Sequence, residues 1–99
     1  IQMNQQINLA IQVLPTTENT HPYDIVDKAI HVIKESGHNY LVCPFETVVE
    51  CSMDEALKLI ADIHRECYQY DTNSMLVNIK IHSHNAKPAL IDDKLAKYK

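Results

Sequence analysis

The chain has 99 residues, a single glycine and a formal net charge of −4. This length predicts one domain, residues 1–99, and the acidic balance argues against a nucleic-acid partner, because phosphate binding needs clustered lysine and arginine. The 3 cysteines lack C-x-x-C spacing, which indicates reduced thiols in a cytoplasmic protein, and no apolar run approaches the ~18 residues of a membrane helix. We interpret Ile1 and Gln2, which precede Met3, as an expression remnant.

The first strand is predicted over residues 7–14, where apolar and polar side chains alternate with the period of a half-buried strand. Pro15 ends this strand, and residues 16–20 form a polar loop. One face of the strand carries the apolar set, and the other carries Asn8, Ala10, Gln12 and Leu14.

The first helix is predicted over residues 23–36, with Thr20 or His21 as its N-cap. Apolar residues recur at spacings of three and four, which predicts one buried helix face. Gly37 ends the helix, because glycine takes the positive φ of the C′ position without steric cost.

A β-hairpin is predicted next, from two short runs rich in β-branched and aromatic residues, 40–43 and 47–51. Pro44 cannot donate a ladder hydrogen bond, so residues 44–46 form the connecting loop. Ser52 and Glu55 then have the spacing of a capping box, which predicts the start of a second helix.

The second helix is predicted over residues 53–68, with an apolar stripe that includes Leu57. Residues 69–74 are predicted as a polar connection, and residues 75–82 alternate as a fourth strand. A short, exposed C-terminal helix is predicted over residues 92–99.

The element order is therefore β-α-β-β-α-β, an α+β fold. Right-handed crossovers give a four-stranded antiparallel sheet in the order 4-1-3-2, with both helices on one face. The other, open face receives Asn8 and Gln12 from the first strand, Asn78, Lys80 and His82 from the fourth, and Glu50 if Val49 faces the helices. This mixed face, which also carries Leu14 and Leu76, predicts a homo-oligomer in which open faces pack together.

Glu50 is the strongest candidate for a ligand-binding residue. A carboxylate on a central strand is costly to bury without a partner, so it either accepts a cationic or amino-bearing ligand or is solvated or paired with Lys80. Thr47 is a candidate donor beside it. His82 and His84 share a strand face, which leaves a metal-responsive regulatory module as the alternative function.

No catalytic group can be recognised in the sequence. Cys43 and Cys51 lie in apolar strands, where cysteine behaves as a small hydrophobic residue, and no histidine is placed beside them by spacing. The single glycine rules out a glycine-rich phosphate loop. We therefore predict a binding protein that is not an enzyme.

Several short motifs resemble the YkoF-like thiamine-binding family across nearly the whole chain. They are the V-x-P end of the first strand (Val13, Pro15), the helix end at Ser36 and Gly37, the hairpin positions Tyr40, Pro44, Thr47 and Glu50, and the terminal residues 93–99. The sequence differs from the family at Cys51, where glycine is frequent, and at Phe45 and Glu46, where smaller residues are common.

The resemblance implies a ferredoxin-like fold, with sheet-mediated homodimers that assemble into homotetramers. It also implies binding of thiamine or its hydroxymethylpyrimidine part without catalysis and with no further cofactor. A thiamine ligand needs hydrogen-bond partners, a flat contact and an anion near its thiazolium ring. The expected ligand-binding residues are Glu50 for the amino group or the cation, Thr47 and Gln12 for hydrogen bonds, and Tyr40 or Phe45 for stacking.

Overall fold

The computed structural model describes residues 2–98. Ile1 of the interpreted remnant and Lys99, the predicted end of the last helix, lie outside the described residues. The elements are β1 (Gln6–Thr17), α1 (Pro22–Glu35), β2 (Asn39–Val42), β3 (Thr47–Ser52), α2 (Met53–Cys67), β4 (Thr72–His82) and α3 (Ile91–Leu95), followed by a 3-10 turn (Ala96–Tyr98).

The predicted ferredoxin-like α+β fold is confirmed. The strand order is β2-β3-β1-β4, and every neighbouring pair is antiparallel. Residues of β1, β3, α1 and α2 share one hydrophobic core, so the two long helices cover the same face of the sheet. The buried core residues are Ile7, Leu9, Ile11, Val13, Ile25, Ala29, Ile33, Val49, Cys51, Ala56, Leu59, Ile63 and Cys67. None of the described helices is long and apolar enough to cross a membrane.

Two strands are longer than the sequence predicts. β1 continues through Pro15 to Thr17, and β4 begins at Thr72 instead of residue 75. Beyond Ile11, β1 pairs only with β4, and a proline is tolerated in a strand with one free edge. The added residues 15–17 and 72–74 lie outside the core, so they leave no hydrophobic pattern in the sequence.

The helix ends follow the predicted signals. The His21 ring accepts the Tyr23 N–H at 3.1 Å at the start of α1, and Gly37 takes a φ of 79° just after its end. On α2 the predicted stripe is wrong at one position, because Leu57 is exposed and Leu59 is buried instead.

The predicted capping box starts α2. The Glu55 N–H donates to Ser52 Oγ at 3.2 Å, and the Ser52 N–H donates to Glu55 Oε1 at 2.9 Å. The hydrogen bond from the Ser52 N–H lowers the pKa of Glu55 below its ordinary value of 4.5. A carboxylate whose pKa is depressed on folding stabilises the folded state above its unfolded-state pKa and loses that effect in acid.

We predict that Glu55→Gln lowers the free energy of unfolding at pH 7. The deficit should shrink as the pH falls from 4.5 through the lower folded-state pKa of Glu55, because the wild-type carboxylate then becomes protonated. Urea denaturation between pH 7 and pH 3 measures this difference. Asp54→Asn is the control, since Asp54 lies in the same first turn outside the capping box. A Glu55→Gln deficit that is constant with pH would contradict the assignment.

Candidate functional site

The open face of the sheet carries a row of polar side chains that crosses all four strands. The register aligns Asn39 of β2 with Glu50 of β3, Glu50 with Asn8 of β1, and Asn8 with His82 of β4. Residues directly opposite each other in antiparallel strands point to the same face. Val49 is buried beneath the helices, so Glu50 lies on the open face, as expected for this register.

The next row along the open face is mostly apolar. It contains Leu41, Val48, Ala10 and Lys80, again one residue from each strand. The three apolar side chains form a floor between two polar regions. Beyond this floor, the Asn78 side chain donates to Gln12 Oε1 at 3.0 Å.

Lys80 pairs with Glu46 and not with Glu50. Its Nζ lies 3.1 Å from Glu46 Oε1, and Glu46 lies in the β2–β3 loop. The alternative in which Lys80 neutralises Glu50 is therefore wrong. Glu46, which stands where smaller residues are common in the family, therefore brings a carboxylate to the apolar floor.

The C-terminal segment, defined here as residues 83–98, lies across the polar row. Ala89 N–H donates to the Gln6 carbonyl at 3.0 Å, Asn8 Nδ2 donates to the Ala89 carbonyl at 2.9 Å, and Ile91 N–H donates to Glu50 Oε1 at 2.8 Å. Ala89 and Ile91 are buried. The last helix is thus one residue longer at its start than predicted, and its first residue is not exposed.

The C-terminal segment and the open face together line a partly open cavity of about 330 Å³. We call it the open-face cavity. This volume is at the lower end of the range for small-ligand sites. It is lined by Asn8, Ala10, Leu41, Cys43, Glu46, Val48, Lys80, Ile81, His82, Ile91, Lys94 and Leu95.

A second depression, the α1 groove, has a volume of about 370 Å³ and lies between α1, β1 and the β2–β3 loop. Its walls are mainly apolar. It is lined by Ile11, Gln12, Val13, Leu14, Pro15, Pro22, Tyr23, Val26, Ala29, Ile30, Ile33, Val42, Cys43, Pro44, Phe45, Glu46 and Thr47.

The five residues predicted to bind a ligand do not converge on one site. Glu50 and Gln12 belong to the open face, whereas Thr47 and Tyr40 point to the helix side, because odd and even positions of a strand face opposite ways. Thr47 therefore does not lie beside Glu50. Phe45 is 82% exposed in the β2–β3 loop, and with Gln12 and Thr47 it lines the α1 groove.

Two of the cysteines are buried, and the histidines form no metal-binding group in the described part of the chain. Burial, reinforced by the Glu55 carboxylate, raises the pKa of Cys51 to about 11, and burial likewise raises the pKa of the Cys67 thiol. Within residues 2–98 no three His, Cys, Asp or Glu side chains are placed to hold a metal ion. His82 instead lines the open-face cavity, and His84 Nδ1 accepts the Ala86 N–H at 3.0 Å.

Two features of the site were missed in the sequence. Asn8 was placed on the open face but not recognised as part of a cavity wall, and the C-terminal segment was not expected to cover the sheet. The one signal in that segment is the short apolar run of Ala89, Leu90 and Ile91 after Pro88. Three residues are too few to establish a helix or strand period, so this signal is weak.

Comparisons with known proteins agree on one family. The family model described as thiamine-binding protein matches residues 9–99. UPF0045 protein CPE1503 of Clostridium perfringens is 28% identical over 92 residues, which is 93% of this chain and 96% of that protein.

Two solved structures share the fold and most of the chain length. A domain of unknown function, DUF77, from Bacillus cereus is 32% identical with a TM-score of 0.92, and the match covers 98% of this chain and 93% of that one. A Thermotoga maritima protein provisionally assigned to thiamine biosynthesis or salvage is 26% identical with a TM-score of 0.85, covering 95% of this chain and 99% of that one.

The hydrogen bond from Ile91 to Glu50 gives a direct test of how the C-terminal segment is held. We predict that Glu50→Ala speeds hydrogen exchange at the Ile91 amide by about ten- to a hundredfold, the value of a hydrogen bond to a charged group. Glu50→Gln should have a smaller effect, because it keeps an acceptor oxygen. Exchange at Leu9 in the core serves as the internal reference. Unchanged exchange at Ile91 in Glu50→Ala would contradict the anchoring role.

Proposed function

The chain belongs to the thiamine-binding protein family, and on that premise we propose that it binds thiamine or its hydroxymethylpyrimidine part in the open-face cavity. Binding is proposed to occur without catalysis. The family relationship supplies the class of ligand. The side chains that line the open-face cavity support this location over the α1 groove.

The open-face cavity combines a flat apolar floor with a carboxylate. Ala10, Val48 and Leu41 belong to the floor, on which a planar ring can lie. Glu46 lines the same cavity, and its carboxylate pairs with Lys80, whose long side chain is largely exposed. In the proposed complex the thiazolium cation takes the place of the Lys80 ammonium beside Glu46. The α1 groove shares Glu46 but lacks the Asn8, Lys80 and His82 side chains that line the open-face cavity.

The residues predicted from the sequence divide between the two depressions. Glu50 neighbours Asn8 on the open face, and we propose that its carboxylate offsets the ligand's positive charge when Ile91 releases it. Gln12, Phe45 and Thr47 would contact the ligand if it occupied the α1 groove instead. Tyr40 packs against the hydrophobic core and is proposed to support the sheet.

The absence of catalysis is part of the proposal. The two buried thiols have raised pKa values, which lower the fraction of reactive thiolate. The alternative function, a metal-responsive module, would have to use His82 and His84, and the described residues add no third ligand to this pair.

We predict that Ala10→Phe weakens thiamine binding by about ten- to a hundredfold, since overfilling a packed space typically costs about 1–3 kcal/mol. Calorimetric titration with thiamine and with hydroxymethylpyrimidine measures the effect. Asn39→Phe is the matched control, because it adds the same ring to the open face outside the cavity lining. Thermal unfolding followed by circular dichroism checks that each variant is folded.

A further variant separates the two depressions. Phe45→Ala should leave the affinity nearly unchanged, because Phe45 lines only the α1 groove. If Phe45→Ala abolished binding while Ala10→Phe bound thiamine normally, the ligand would lie in the α1 groove. If the wild type bound neither compound, the proposed function would be wrong.

We also propose that the protein forms a homodimer or homotetramer through the open face. Leu14 and Leu76 are cross-strand neighbours on that face, 43% and 63% exposed. They lie at the end of the sheet that the C-terminal segment does not cover. Contiguous exposed apolar side chains on a sheet support a protein–protein contact.

We predict that Leu76→Glu lowers the molar mass measured by light scattering at micromolar concentration, because a buried, unpaired carboxylate opposes association. Leu57→Glu is the matched control, since Leu57 is an exposed leucine on α2, away from the sheet. A monomeric wild type, or an unchanged mass in Leu76→Glu, would contradict assembly through this face.

A further inference from the structure

Asn8 has a buried acceptor that no described group satisfies. Its side chain is on the open face, the residue is 5% exposed, and it lines the open-face cavity. Its Oδ1 atom has no hydrogen-bond partner among the described residues. Buried side-chain oxygens are nearly always paired, so an unpaired one requires an explanation.

The orientation of the Asn8 amide is determined by its other end. Nδ2 donates to the Ala89 carbonyl at 2.9 Å, and a flipped amide would place two oxygens against each other. The oxygen therefore points away from Ala89. The two cross-strand neighbours do not supply a donor, since Glu50 has a carboxylate and His82 makes no hydrogen bond to this oxygen.

A buried acceptor without a donor costs free energy, and a ligand that brings an N–H group removes this cost on binding. Asn8 and the floor residue Ala10 lie on the same face of β1, and both line the open-face cavity. A ring resting on that floor presents its edge, and the groups attached to it, to Asn8. The donor that fits is thus an amino group attached to a planar ring.

We propose that Asn8 Oδ1 accepts a hydrogen bond from the exocyclic amino group of the bound pyrimidine and so selects amino-substituted over oxo-substituted rings. This inference rests on the proposed function and adds a specificity-determining residue to it. An oxo group at the same ring position presents a second acceptor, which repels Oδ1.

The C-terminal segment lies over the side chain that carries this acceptor. Oδ1 is covered in the structure, and the segment lies over Asn8 through the bond to Ala89. Ile91 and Leu95 of the same segment line the cavity. In the proposed complex their side chains shift, and the amino group reaches Oδ1 from the cavity side.

The test compares thiamine with oxythiamine, in which a carbonyl oxygen replaces the exocyclic amino group. Calorimetry should show that the wild type binds thiamine about ten- to a hundredfold more tightly than oxythiamine. In Asn8→Ala this ratio should fall close to one, even if both affinities drop because the bond to Ala89 is lost. Asn39→Ala, at the outer end of the same polar row, should keep the wild-type ratio.

The wild-type ratio tests the inference without any variant. Equal binding of the two compounds by the wild type would overturn the role of Asn8 and leave the proposed function intact. A ratio that persists in Asn8→Ala would also overturn it. Failure of the wild type to bind either compound would instead overturn the proposed function, and the inference with it.

Discussion

The hydrogen bonds between the polar row of the open face and the backbone of the C-terminal segment determine the shape of the site. The carboxylate of Glu50 accepts a hydrogen bond from the Ile91 N–H, and Asn8 Nδ2 donates to the Ala89 carbonyl. Without these bonds, both side chains would be polar groups that the segment covers without giving them a hydrogen-bond partner. Because both side chains bond to the backbone of the segment, Ala89 and Ile91 can be buried, and the segment forms one wall of the partly open cavity over the apolar floor. Each of the two bonds pairs a donor with an acceptor, as buried polar groups require, while Asn8 Oδ1 has no partner among the described residues.

The alternation of β1 was enough to predict which face meets the helices, because Ile7, Leu9 and Ile11 leave no other side for the core. The capping box and Gly37 predicted the helix ends, since both act through local backbone chemistry. Glu50 was harder to place, because Val48 and Val49 are both apolar. The pairing of Val49 with the buried Leu9 shows that Val49 faces the helices and that Glu50 faces the open side.

The cavity could not be predicted, because it depends on contacts between distant parts of the chain. Asn8 and Ala89 are separated by 81 residues, and neither carries a local signal for that contact. The predicted ligand set also combined residues three apart on β3, although Thr47 and Glu50 must face opposite ways in a regular strand. A family motif specifies which residues recur, whereas strand parity determines which of them can share a site.

The central claim is that a thiamine ligand lies between the open face and the C-terminal segment. Amide NMR of the isotope-labelled protein, titrated with thiamine, tests this claim most directly because it locates the ligand without any substitution. The account predicts that the largest shift changes occur at the amides of Ala10, Val48 and Ile91, around the open-face cavity. Changes confined to Tyr23, Val26 and Phe45 would place the ligand in the α1 groove and contradict the account, as would a spectrum that thiamine leaves unchanged.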